Sequence, residues 1–134
     1  MSPIDVLYVI DDDEVYQYLT TEIIESTELV NTIKVFSNGA EAINYLKSIK
    51  DKLKELPQVI FLDLFMPVMN GWHFLDEFMN LKCCLNKKIT IYIVSSSIDP
   101  KDIKRAQEIS IVSDFIIKPI THEKFLKVIE EIVK

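Results

Sequence analysis

Acidic, hydroxyl and lysine side chains stand at four separate points of this 134-residue chain, each directly after a short apolar run. Asp11–Glu14 follow the first run, Asp63 the third, Ser95–Ser97 the fourth and Lys118 the last. Clustered carboxylates repel one another, and Mg²⁺ relieves that repulsion because it prefers carboxylate and carbonyl oxygens. A lysine binds a phosphoryl oxygen as a point charge, and a serine hydroxyl supplies a further donor. This combination predicts a phosphoryl-transfer site in which a carboxylate nucleophile holds the phosphoryl group covalently.

Each of these features has an ordinary explanation when it is taken alone. An acidic run at a strand end commonly caps the next helix, and Asp13 or Glu14 is expected to do so here. Asp63 could be a turn residue, Lys118 a surface lysine and Ser95–Ser97 a polar loop. The functional interpretation depends on all four occurring together at strand ends.

Five short apolar runs alternate with segments of helical periodicity, which predicts a repeated strand–helix pattern. The predicted strands cover residues 5–10, 32–36, 59–62, 89–94 and 111–117. Strict alternation predicts an α/β fold, a flavodoxin-like (βα)5 doubly wound sandwich with a five-stranded parallel sheet in order 2-1-3-4-5 and helices on both faces. Ligands bind beyond the carboxyl ends of such strands, so this order brings the four chemically active segments to one edge.

The helical segments carry apolar side chains three and four residues apart, as amphipathic helices do. In the first helix, Val15, Tyr18, Leu19 and Ile23 define the expected packing face. Asp99 is expected to cap the fourth helix, with Pro100 at its first position.

Four segments stand out when they are taken together: Val9–Asp13, Phe61–Gly71, Ile93–Ser96 and Phe115–Pro119. They resemble the receiver domains of two-component response regulators, and the likeness covers essentially the whole chain. The second, with its Asp-x-x-Met-Pro-x-Met-Asn-Gly pattern, is the most specific. The sequence thus resembles a stand-alone, chemotaxis-regulator-like receiver: one domain over residues 1–134 with no effector domain.

The resemblance implies a role for each residue of the site. Asp63 is the implied phosphoacceptor, and Lys118 would contact the phosphoryl oxygens and the carboxylate. Mg²⁺ would be held by Asp11, Asp12, Asp63 and the main-chain carbonyl of Phe65. The implied function is that of a phosphoacceptor module, which catalyses only its own phosphorylation and dephosphorylation and is not otherwise an enzyme.

The resemblance also implies a switch. Ser95 matches the switch hydroxyl and Phe115 the aromatic switch residue, which turns inward when the hydroxyl moves toward the phosphoryl group. Receivers place a cis peptide before the proline that here is Pro119, which this sequence permits. Phe65, two residues beyond the acceptor, is hypothesised to shield the phosphoryl group from water.

Composition limits the partners and the location. A formal net charge of −6 disfavours nucleic acid, whose phosphates would be repelled. No leader precedes the first strand and no apolar run could span a bilayer, so a soluble cytoplasmic protein is expected. Cys83 and Cys84 are expected to be reduced and partly buried.

The expected partners are a sensor histidine kinase or a histidine phosphotransfer domain, and an unknown downstream protein. The chain is expected to be a monomer or an activation-dependent dimer.

Three other functions share parts of this pattern. A flavodoxin-like nucleotide binder needs a glycine- or hydroxyl-rich loop after strand one, where this chain has Asp11–Glu14. An aspartate-nucleophile phosphatase of the haloacid dehalogenase type resembles Asp-x-Asp, and the second position here is Phe65. A receiver-like module that binds a partner without phosphorylation fits the same residues, and turnover of small phosphate esters would identify the phosphatase.

Overall fold

The computed structural model describes residues 3–133, in which five strands alternate with five helices. The strands are β1 (Ile4–Ile10), β2 (Val30–Phe36), β3 (Val59–Leu62), β4 (Thr90–Ser95) and β5 (Val112–Ile117). The helices are α1 (Glu14–Thr27), α2 (Gly39–Ser48), α3 (Gly71–Lys82), α4 (Pro100–Gln107) and α5 (His122–Val133). The ends of the predicted domain, residues 1–2 and 134, lie outside the described residues.

The five strands form one parallel sheet in the order β2-β1-β3-β4-β5, as predicted. β3 is buried along its whole length, as is most of β1 and β4, because helices cover both faces of the sheet. β5 is continuous across the polar Ser113 and Asp114, and a register shift against β4 accommodates them.

Two apolar layers fill the space between the sheet and its helices. One packs α2, α3 and α4 against one face, around Tyr8, Leu46 and Phe74. The other packs α1 and α5 against the opposite face, around Ile24, Phe61 and Phe125. Within residues 3–133, no helix combines the length and the apolar character needed to cross a membrane.

Capping residues mark the starts of three of these helices, which lie near the carboxyl edge of the sheet. The Asp13 side chain accepts hydrogen bonds from the first turn of α1, and Asn70 does the same for α3. Asp99 caps α4, with Pro100 at its start, as predicted.

The prediction for the packing face of α1 is confirmed for Ile23, which packs against the core, and wrong for its other three residues. Val15, Tyr18 and Leu19 are 65, 64 and 42 % exposed, and the buried residues of the helix are Thr20 and Ile24. The face directed at the sheet is partly polar, because its first turns border the acidic edge. In the first half of α1, apolar periodicity therefore indicated the outer face, whereas Ile23 and Ile24 in the second half pack inward.

The predicted burial of the two cysteines is also wrong. Cys83 and Cys84 follow directly after α3, and both are free and exposed. Their sulfur atoms lie 3.8 Å apart.

Candidate functional site

The pairing of β1 with β3 places Asp11 beside Asp63. Ile10 is paired with Leu62, and the Asp63 backbone N–H donates to the Ile10 carbonyl over 2.9 Å. Each aspartate is therefore the first residue beyond its strand, and both are buried, at 5 and 6 % exposure. Two carboxylates are thus held together out of water at the carboxyl edge of the sheet.

Lys118 reaches this pair from the end of β5. Its Nζ lies 2.6 Å from Asp11 Oδ2 and 3.4 Å from Asp63 Oδ2, and its side chain is 6 % exposed. The Lys118 backbone N–H donates to the Ser95 carbonyl, and the Lys118-Pro119 peptide is cis. The lysine therefore bridges the two carboxylates, with its shorter contact to Asp11.

The remaining oxygens of the two carboxylates accept backbone hydrogen bonds. Asp11 Oδ1 accepts from the N–H of Asp13, and Asp63 Oδ1 accepts from the N–H of Leu64, each over 2.9 Å. These bonds fix both side chains at the edge of the sheet.

Burial and mutual repulsion change the acid–base properties of the site. Burial, followed by the charge of Asp11, raises the pKa of Asp63 to about 6, although Lys118 and the Leu64 N–H act in the opposite direction. Burial also opposes the charged form of Lys118, but its contacts with Asp11 and Asp63 outweigh this and raise its pKa. The site therefore carries more negative charge than one lysine neutralises.

The carboxylates suit a divalent cation. Asp11, Asp12 and Asp63 each place one oxygen so that all three lie within 4.8 Å of one another, and Asp12 is exposed. Such all-oxygen sets are the ligands that Mg²⁺ prefers, and the unbalanced negative charge favours a cation. The Phe65 carbonyl belongs to the loop directly after Asp63, and the Phe65 side chain is 56 % exposed.

The loop after β3 folds back tightly on the strand. The Gly71 N–H donates to the Leu64 carbonyl over 2.8 Å, and a Cβ at Gly71 would lie 2.5 Å from the Asp63 carbonyl oxygen. Only glycine allows this approach. Val68, midway in the loop, has φ of 70°, a conformation that β-branched residues rarely adopt.

The two predicted switch residues lie on neighbouring strands. Ser95 ends β4, is fully buried, and its Oγ accepts a hydrogen bond from the Ser97 N–H over 3.2 Å. Phe115 pairs with Ile93 across β5 and β4 and is partly buried against the layer beneath α2, α3 and α4.

Sequence reasoning missed two residues that contact this site, Tyr16 and Gln17, and it named Ser97 only as part of the polar run Ser95–Ser97. The Tyr16 ring lies under the Lys118 ammonium, with Nζ 4.4 Å from the ring centroid. Gln17 Nε2 donates to the Asp11 carbonyl over 2.5 Å. Ser97 Oγ donates to Asp102 on α4 over 2.7 Å. The spacing of Tyr16 and Gln17 after the Asp13 cap is the only signal that could have identified the first two.

Comparisons with known proteins bear on the family and the fold of the chain. A family model described as response regulator receiver domain matches residues 7–130. A two-component response regulator from Cytophaga hutchinsonii has a similar structure, with a TM-score of 0.89, 31 % identity and 97 % of each chain covered.

Two further relatives differ in how much of them this chain covers. A protein-glutamate methylesterase/protein-glutamine glutaminase of Clostridium acetobutylicum is 34 % identical over 129 residues, which are 94 % of this chain and 34 % of the relative. The chain thus spans about a third of that protein. The Borrelia burgdorferi CheX-CheY-BeF3-Mg+2 complex shares the fold, with a TM-score of 0.78, 24 % identity, and 97 and 90 % coverage.

Proposed function

The chain belongs to the response regulator receiver domain family, and from this premise we propose that it takes a phosphoryl group from a phosphohistidine onto Asp63. The observation that carries the proposal is the buried Asp63 carboxylate, 3.4 Å from the Lys118 ammonium and grouped with Asp11 and Asp12. The chain would then act as a signalling module in a two-component system or phosphorelay, and as a catalyst only of its own phosphorylation and dephosphorylation.

Asp63 is the proposed nucleophile. One of its oxygens forms a bond to phosphorus as the phosphorus–nitrogen bond to the donor histidine breaks. The imidazole leaves with the electron pair and takes up a proton. Lys118, held at the carboxylate, would neutralise charge on the phosphoryl oxygens as they arrive.

A magnesium ion would be held by Asp11, Asp12, Asp63 and the Phe65 carbonyl. When bound, it would supply the positive charge that brings an anionic phosphoryl group to a cluster of carboxylates. Asp11 also contacts Lys118, whose Nζ lies 2.6 Å from Asp11 Oδ2.

Ser95 and Phe115 are the proposed switch. The Ser95 hydroxyl is fully buried at the end of β4 and would turn toward the new phosphoryl group. Phe115, which is partly buried against the layer beneath α2, α3 and α4, would move inward behind it. Phosphorylation would thus act as a local charge event that shifts the face formed by α4, β5 and α5.

The proposed phosphodonor is a protein, either a sensor histidine kinase or a histidine phosphotransfer domain. Val15, Phe65, Val68 and Ile98 follow the strand ends around the site, and each is more than half exposed. Exposed apolar side chains in one region suit a protein contact.

Four further expectations stay predictions. They are an unknown downstream protein, a monomer or activation-dependent dimer, a cytoplasmic location and the lack of a nucleic-acid partner.

Intact-mass measurement after incubation with acetyl phosphate and Mg²⁺ tests the proposal. The expected result is one added phosphoryl group, absent from Asp63→Asn and from samples with chelator. Asp76→Asn, an exposed aspartate on α3, is the matched control and should still be labelled.

Two other outcomes would favour the competing functions. Absence of the adduct would favour a receiver-like module that binds its partner without phosphorylation. Sustained turnover of p-nitrophenyl phosphate would instead indicate an aspartate-nucleophile phosphatase.

A further inference from the structure

The ammonium of Lys118 has a third neighbour besides its two carboxylates. Its Nζ lies 4.4 Å from the centroid of the Tyr16 ring. The side chain of Lys118 is 6 % exposed, so water has little access to the ammonium. Three groups therefore surround this cation: Asp11, Asp63 and the ring.

A tyrosine ring acts on the Lys118 ammonium differently from a third hydrogen-bond acceptor such as a carboxylate or water. An aromatic face attracts a cation through its quadrupole, and this attraction is stronger when water is excluded. A third carboxylate would add to the repulsion at the site, and bulk water would not fix the position of the ammonium. The ring adds attraction without adding charge.

The Tyr16 ring is attached to a rigid part of the molecule. Asp13 Oδ1 accepts from the N–H groups of Val15 and Tyr16, over 2.9 and 3.4 Å, and this caps α1. The side chain of Gln17, the next residue, donates to the Asp11 carbonyl over 2.5 Å. The first turn of α1 is thereby tied to the end of β1, beside the carboxylates.

We propose that Tyr16 is a positioning residue for phosphoryl transfer, whose ring holds the Lys118 ammonium at Asp63. The proposal rests on the proposed function. The ring would matter most if a divalent cation on Asp11 drew that carboxylate away from Lys118, since the 2.6 Å contact is the shorter of the lysine's two. The ring keeps the ammonium at the site in that state.

The first test compares rates of Asp63 phosphorylation by acetyl phosphate at saturating Mg²⁺. Tyr16→Leu should slow the reaction roughly three- to thirtyfold, the range expected of a partly to fully desolvated cation–π contact. Tyr16→Phe keeps an aromatic face and should be phosphorylated at the wild-type rate. Tyr18→Leu, the same change at a 64 % exposed position of α1, is the matched control and should leave the rate unchanged.

A double-mutant cycle distinguishes positioning of Lys118 from damage to the fold. If Tyr16 acts through Lys118, Tyr16→Leu should have no further effect in a Lys118→Met background. Equal slowing in both backgrounds would overturn the proposal, and so would a slow Tyr16→Phe variant.

The second test needs no phosphodonor and no metal. In wild type and Tyr16→Phe, the ring current should shift the NMR signals of the Lys118 ε-methylene protons upfield, and Tyr16→Leu should abolish that shift. If the Lys118 ε-methylene signals keep the same shift in Tyr16→Leu, the ring does not contact the ammonium, even if the protein is phosphorylated normally. Failure of the wild type to accept a phosphoryl group, with the ring-current shift present, would overturn the proposed function and with it the positioning role, while leaving the contact in place.

Discussion

Replacement of Asp63 by Asn should stabilise the fold at neutral pH in magnesium-free buffer. Burial and the charge of Asp11 raise the pKa of Asp63 from 3.8 to about 6. The folded protein therefore binds a proton more tightly than the unfolded chain does. Asparagine keeps the shape and the acceptor oxygen of this side chain without the charge.

The sign and size of the effect follow from this pKa. Because the folded-state pKa is raised, wild type loses stability as the pH rises from about 4 through about 6, and the full cost applies above that window. A shift of about two units corresponds to about 3 kcal/mol. Asp63→Asn should recover about 2–3 kcal/mol at pH above about 7, and the gain should vanish below about pH 4.

Urea unfolding in EDTA, across a pH series from about 3.5 to about 8, measures this difference. Asp12→Asn is the matched control, since Asp12 is the exposed member of the same cluster, and it should give a much smaller gain. The reasoning would be refuted by an Asp63→Asn protein that is no more stable than wild type at neutral pH. An advantage that persists unchanged at acid pH would refute it equally.

Three other substitutions test separate parts of the structure. Tyr8 is buried, and its hydroxyl has no hydrogen-bond partner within residues 3–133. Tyr8→Phe should therefore leave the free energy of unfolding unchanged or raise it by up to about 1 kcal/mol, and a decrease of that size would show that the hydroxyl has a partner. Gly71→Ala should lower the melting temperature by the equivalent of about 1–3 kcal/mol, because its Cβ would meet a carbonyl oxygen 2.5 Å away. Phe65→Asn should speed dephosphorylation of the labelled protein, since an exposed apolar side chain beside the acceptor would be replaced by one that can orient water. If mass spectrometry gives the wild type and Phe65→Asn the same half-life for the phosphorylated form, Phe65 does not shield the phosphoryl group from water.

The fold could be predicted because a parallel sheet buried on both faces requires continuous apolar strands. Val59–Leu62 and its neighbours carry that pattern directly, and strict alternation with helices leaves few topologies. The acidic cluster, Asp63 and Lys118 were expected at one edge for the same reason. The strand registers place Asp11 beside Asp63 at that edge.

The packing of the first half of α1 could not be predicted, for a reason specific to this site. The inner face of α1 carries Tyr16, Gln17 and Thr20, and a prediction based on apolar periodicity assigns these residues to the solvent-facing side. Those residues face inward because their surroundings include buried carboxylates and a lysine. Where the turns of a helix border a charged site, polar side chains can occupy the buried face and apolar ones the exposed face, the opposite of the usual amphipathic pattern.

The contacts that sequence reasoning missed link the site to other residues, and the residue types give no sign of them. Ser97 shows this best. Its N–H donates to the Ser95 hydroxyl over 3.2 Å, while its own hydroxyl donates to Asp102 over 2.7 Å and accepts from the N–H of Asp99 over 3.2 Å. One serine therefore joins the proposed switch hydroxyl to the first turn of α4. Because the Ser97 N–H depends on the Ser95 Oγ, a movement of that oxygen would act on the residue that contacts the start of α4.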